Sequence, residues 1–166
     1  MIPQDLVLYE EEFKKIRQAL QRLFQDASAK LVFLVDKNGQ QIAAVGDMNS
    51  VDTTSLASLT AGNVAATDGL ARLIGEKEFS ILFHEGEKDN IHISIVAQRV
   101  ILVVIFDERS SLGLVRLRVR RATTELDKIF EDIAKKAEKE KESLQAEFES
   151  PFAEITDEDI DRLFSE

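Results

Sequence analysis

Few side chains in this sequence could do chemistry. His84 and His92 are the only histidines and there is no cysteine, so imidazole is the one side chain whose ordinary titration falls near neutrality. A proton-transfer or metal centre built on these two would need further ligands, and the sequence nominates none. Both fall on segments that read as strands, with His92 facing opposite its isoleucine neighbours, which reads as two surface or edge residues. Without cysteine there is no disulfide framework, iron–sulfur cluster or thiolate zinc site. Carboxylates are plentiful, 31 in all, and no pair stands out without geometry. Neither G-x-x-x-x-G-K-[ST] nor G-x-G-x-x-G occurs, and neither does H-E-x-x-H or G-x-S-x-G. The sequence therefore reads as having no catalytic residues, metal or cofactor of its own, and as a binding protein rather than an enzyme.

Composition narrows the partners. The 166 residues carry a net charge of −10, which argues against nucleic acid, because phosphate neutralisation needs a surplus of Lys and Arg. The charge is uneven: Leu144 to Glu166 holds eight acids against Arg162 alone, leaving a nearly balanced body of 143 residues. The longest apolar run, Val100 to Phe106, is far short of the roughly 20 residues that span a bilayer. Met1-Ile-Pro-Gln-Asp-Leu6 has no basic n-region or small-residue cleavage site. A cytoplasmic address is expected.

The elements that must position any site follow from periodicity. Phe13, Ile16, Leu20, Leu23 and Phe24 predict a helix over Tyr9 to Asp26, with Glu10, Glu11 and Glu12 favouring its start. Ala29 to Val35 and Gln40 to Val45 flank Asn38-Gly39, a hairpin signature. A long helix runs from Thr54 to Ile74, capped by Asp52 or Thr53 and stopped at Gly75. Strands follow at Glu78–His84, Ile91–Ala97 and Val100–Phe106, the last covered on both faces. Ser110 or Ser111 opens the last large helix, whose charged end, Lys135 to Glu142, projects into water or frays. The order α-β-β-α-β-β-β-α predicts an α+β layer fold with a five-stranded antiparallel sheet and helices on its faces. Residues 1–143 are expected to form the domain and 144–166 an acidic tail.

Two features remain unexplained by a plain core. Ala57, Ala61, Ala65 and Gly69 recur every four residues along the second helix, with Ser58, Gly62 and Ala66 beside them. The plain reading packs this helix on its own sheet, through the face of Leu56, Leu59, Val64, Leu70 and Leu73; the sharper one is that the small stripe permits close approach by another chain. In the tail, Thr156-Asp-Glu-Asp159 resembles a capping box before Ile160, Leu163 and Phe164. The tail is either an acidic end, disordered or folded back, or a docking segment that orders on binding.

Val32-Phe-Leu-Val-Asp-Lys-Asn-Gly39, the stretch from Asp52 to Ala66, Leu102-Val-Val-Ile-Phe-Asp107 and Ser111-Leu-Gly-Leu-Val-Arg-Leu-Arg118 resemble the Roadblock/dynein light chain family over nearly the whole chain. The resemblance implies a homodimer in which two protomers engage one Ras-like bacterial polarity GTPase and stimulate GTP hydrolysis, with a cell pole as a place of concentration. It implies a docking surface on the paired second helices, carried here by Ala61, Ala65, Thr67 and Gly69. It also implies a second contact through Ile160, Leu163 and Phe164, one that tunes nucleotide turnover. The Lys135–Glu142 stretch and Thr67-Asp68 depart from the family pattern. A partner's arginine finger raises hydrolysis by about 10³–10⁵, yet no arginine lies between Ala57 and Ala71, and Arg72 just beyond is the nearby candidate. The expected mechanism is therefore positional. The rival expectation is a non-catalytic scaffold that anchors a GTPase.

Overall fold

The apolar run from Val100 to Phe106 becomes the spine of the sheet. In the computed structural model, which describes residues 9–153 and 157–165, the order is α1 (Glu10–Asp26), β1 (Leu31–Asp36), β2 (Gln41–Gly46), α2 (Thr53–Leu73), β3 (Ile81–Glu85), β4 (Asn90–Val96), β5 (Val100–Phe106), α3 (Leu112–Ala153) and α4 (Asp157–Phe164). The strands form one antiparallel sheet in the order β2-β1-β5-β4-β3. β5 sits at its centre with every residue buried. This is the expected α+β fold with its five-stranded sheet and flanking helices.

Register sorts the sheet into two faces, because successive side chains point to opposite sides. Phe33 lies opposite Val103, and Val103 opposite Ile93. These residues join Leu31, Val35, Ile101 and Ile105 in a core with Ala57, Ala61 and Val64 of α2. On the opposite face, Val32 pairs with Val104 and Leu34 with Leu102. Ile16, Leu20 and Leu23 of α1 and Val115, Val119 and Leu126 of α3 are likewise buried. Arg22 and Glu125 form an ion pair that links α1 to α3. Phe83 of the edge strand stacks on Phe106 with centroids 6.2 Å apart.

Several ends lie a few residues from their expected places, each with a local cause. Tyr9 is extended and is the N-cap of α1 rather than its first residue. Ser111 caps α3, its Oγ accepting from the Leu114 amide at 3.2 Å. β4 stops at Val96, because the left-handed Ala97 (φ 53°) and Gln98 (φ 57°) turn the chain and Arg99 N donates back to Val96 O at 3.1 Å, a three-residue loop before Val100. The Asp127 carboxylate accepts from the Ala97 amide at 2.9 Å and holds that turn. In the first hairpin Asp36 Oδ1 accepts from the amides of Asn38 and Gln40, both at 2.9 Å.

The chain divides into two units, Tyr9–Phe130 and a second that begins at Glu131 in the described residues. In the second, Lys135 pairs with Glu131 one turn earlier at 3.4 Å. α3 continues past Glu142 and Leu144 to Ala153, longer than the charged stretch suggested.

Gly46 fixes how β2 ends. Its φ is +120°, and a Cβ there would lie 2.5 Å from the Lys30 carbonyl oxygen and 2.9 Å from the Phe24 ring. Backbone strain and overpacking then act together, at about 1–3 kcal/mol each. Gly46→Ala is expected to lower the unfolding free energy by about 3 kcal/mol, read from the shift of a urea midpoint at unchanged m-value; a shift worth less than about 1 kcal/mol would refute the close approach.

Candidate functional site

α2 is built to be a well-defined helix with little charge. Its N-cap, Asp52, accepts from the Ser55 amide at 3.2 Å and from the Ser55 hydroxyl at 2.7 Å. These bonds hold the Asp52 carboxyl below the usual carboxylate range, the hydroxyl contributing most. At the other end Glu76 N donates to Ala71 O at 2.8 Å and Gly75 N to Arg72 O at 3.2 Å, with Gly75 at φ +85°. That pair of bonds is the Schellman stop. Asn63 Nδ2 lies 2.9 Å from His84 Nε2, tying the helix to edge strand β3.

The helix sits on the sheet by its small face, which corrects the expectation that its leucines do so. Ala57, Thr60, Ala61, Val64 and Ala71 are buried, while Leu59, Leu70 and Leu73 are 73%, 58% and 84% exposed. Beneath it the sheet's own Phe33, Ile101 and Val103 pack against Ala57, Ala61 and Val64. Ile74 at the C-cap is also exposed. Leu56, Leu82, Ile91 and Ile95 are only partly buried against this core. The outward side of α2 is therefore an apolar band with the sheet's flank beside it. Large exposed apolar patches of this kind mark interaction surfaces.

The expected site residues divide across this geometry. Ala65 and Gly69 are exposed on the outer side, and Ala61 faces the sheet. Thr67 is half-buried, its hydroxyl donating to Asn63 O at 2.9 Å and Val64 O at 3.0 Å, so it is occupied by its own helix. Arg72 is exposed in the last turn of α2. Gly62 and Gly69 sit in the helix interior, where glycine costs about 1 kcal/mol relative to alanine. A Cβ at either would meet nothing within 4 Å, so the chain's own packing does not call for them. In α4, Leu163 and Phe164 are exposed; Ile160 belongs to α4, and its side chain lies outside the described residues, as do Thr156 and Ile155. Among the described residues no three His, Cys, Asp or Glu side chains are grouped to hold a metal ion, and no helix is long and apolar enough to cross a membrane.

His84 is exposed on the edge strand, as expected, but His92 is not a surface residue. Its ring is 0% exposed, because position 92 faces Val104 on the central strand and lies beneath α3 rather than at an edge. Neither ring nitrogen has a hydrogen-bond partner. Burial first, and then the positive charge of Arg116, push its pKa down. Strand alternation does separate His92 from the isoleucines. It carries no information that both faces of the sheet are covered.

The Roadblock/LC7 domain model matches residues 15–106. Among solved structures, the chain is 64% identical to Myxococcus xanthus MglB, covering 76% of this chain and 96% of that one, with a TM-score of 0.73. The gliding protein MglB from Thermus thermophilus is 32% identical over the same shares, with a TM-score of 0.72. An MglB with a tetrameric arrangement is equally similar, at 32% identity and a TM-score of 0.72 over 76% of this chain and 96% of that one. No curated protein matches the chain.

The buried imidazole has a thermodynamic signature. The unfolded ring takes its proton near pH 6.5, and the folded ring only at lower pH, so the unfolded state binds more protons between the two. Its contribution to stability is complete above about pH 6.5 and is withdrawn as the pH falls towards the folded value, at no more than about 1.4 kcal/mol per pH unit. Between pH 7.5 and 5.5 the native chain is expected to lose more stability in urea titrations than His92→Leu does. Equal losses would mean that His92 protonates freely in the fold.

Proposed function

The chain belongs to the Roadblock/LC7 family, and from that premise we propose that it regulates a Ras-like small GTPase of the MglA type. On this reading it acts as a homodimer, two protomers to one GTPase, and stimulates GTP hydrolysis while having no active site of its own. The observation that carries the reading is the outward face of α2. Leu59, Leu70, Leu73 and Ile74 are exposed beside Ala65 and Gly69, on a helix whose only charges are Asp68 and Arg72. The 64% identity to an MglB supports the choice of partner.

The mechanism follows from what α2 can offer. Short side chains at Ala65 and Gly69 let a second backbone come near, and the leucines give apolar area to bury on contact, at roughly 25 cal/mol per Å². The face from Ala57 to Ala71 has no arginine to lend to a transition state. The dimer therefore works by position: it holds the GTPase's own catalytic residues and attacking water in line, which removes orientational freedom from the reaction. The exposed Leu163 and Phe164 of α4, with Ile160, form a second, acidic contact that tunes nucleotide turnover. This divides the chain into a Roadblock body over 1–143 and a docking tail over 144–166. The working address is the cytoplasm, with enrichment at a cell pole. The second reading, a scaffold that anchors the GTPase without accelerating it, uses the same face.

Single-turnover GTP hydrolysis by an MglA-type GTPase, with and without the full chain, separates the two readings. Acceleration is expected, and an unchanged rate with the complex formed leaves the scaffold. In the same assay Arg72→Ala is expected to keep its stimulation within about threefold. A collapse of roughly 10³ with binding intact would make Arg72 an arginine finger and overturn the positional mechanism. Ala65→Arg combined with Gly69→Arg should leave the circular dichroism spectrum and melting unchanged and weaken GTPase binding by about 100-fold or more, since bulk and charge then part the surfaces. Unchanged affinity would exclude this face.

A further inference from the structure

On the sheet face opposite α2, β4, the start of β3 and α3 border an open cavity of ≈ 530 Å³. Sites for small organic ligands run from about 300 to 1,000 Å³. His92 and Ser94, two apart on β4 and therefore side by side on one face, line it at 0% and 4% exposure. Neither ring nitrogen of His92 nor the Ser94 hydroxyl has a hydrogen-bond partner. Buried polar atoms are nearly always paired, so three orphaned ones in a single cavity mark a place where a bound molecule would supply the partners. Because His92 is held neutral by its surroundings, its ring offers one donor and one acceptor.

The wall formed by α3 sets the charge of that molecule. Arg116 and Arg120 stand one turn apart on the helix and line the cavity. Neither forms an ion pair with a described residue, while Ile81 and Val119 add apolar surface. Among the described residues no carboxylate lines the cavity, in a chain whose net charge is −10. We infer that the cavity binds a small organic oxyanion, a phosphate or carboxylate head on an apolar body. Arg116, Arg120 and the Ser94 hydroxyl hold the head, and Ile81 and Val119 hold the body. The site is separate from the α2 face and does not depend on the partner proposed for it.

The test is a titration of the ¹⁵N-labelled full-length chain followed by two-dimensional NMR, with phenyl phosphate, phenylacetate and phenol as probes. Saturable shifts are expected at Ile81, His92, Ser94 and the stretch 116–124 with at least one of the two anions. Which anion binds more tightly tells a phosphate head from a carboxylate. Phenol, which has the body without the charge, should bind at least about tenfold more weakly. Arg116→Ala with Arg120→Ala, both exposed and so expected to leave the fold intact, should weaken the anion by about tenfold or more; Ser94→Ala should weaken it less. Saturation by neither anion, shifts centred elsewhere, phenol binding as tightly as the anions, or an affinity indifferent to the arginines would each overturn the inference.

Discussion

Every layer of this molecule answers to the need to keep water from both sides of β5. All seven of its residues are buried, and a strand that is apolar throughout cannot lie on a sheet with an open face. α1 and α3 serve one side. On the other side, among the described residues of the Tyr9–Phe130 unit, cover comes from α2, a helix about 10 Å across over five strands spaced roughly 4.8 Å apart. It approaches β1 and β2 most closely and leaves Leu82, Ile91 and Ile95 only partly buried. The exposed apolar band on α2 and the half-covered flank beside it are two results of the same shortage of cover. The proposed docking face thus follows from the arithmetic of layers as much as from the identity of any one residue.

Much of this was legible in the amino-acid sequence. Element order, the Asn38-Gly39 hairpin, the Asp52 and Ser111 caps and the Gly75 stop are local features, set by chemistry within a few positions. What could not be read locally was which side of α2 faces inward. The spacing of Ala57, Thr60, Ala61, Val64 and Ala71 is a good helical stripe, but size argued for putting the leucines inside. The choice is made far away in sequence, by Phe33, Ile101 and Val103, which pack against Ala57, Ala61 and Val64 with Leu56 partly buried beside them. His92 was hidden for a similar reason: strand alternation gives a side, and only the packed helices decide whether that side is wet. Likewise Ala61 belongs by spacing with Ala65 and Gly69, yet the structure sets it against the sheet and leaves the other two outside.

The two faces of the sheet consequently carry different chemistry. The α2 side is apolar, closely packed where covered and exposed elsewhere, which suits a large and flat partner. The α3 side keeps imidazole, hydroxyl and guanidinium groups around an open cavity, which suits something small. One sheet can separate two such functions because each strand sends alternate residues to each side. Ile91, Ile93 and Ile95 serve one face, and His92 and Ser94 the other.

The pairing of β1 with β5 also bears on how the chain comes to be made. Leu31 lies opposite Ile105, so the inner strand of the first hairpin finds its neighbour only roughly 70 positions downstream. At ribosomal speeds of about 5–20 residues per second, that segment emerges some 4–15 s before its partner does. In that interval the β1–β2 ribbon offers Leu31, Phe33 and Val35 to whatever is near. Nascent chains of this protein should be most sticky in that window, and they are natural clients for a chaperone working at the ribosome's exit.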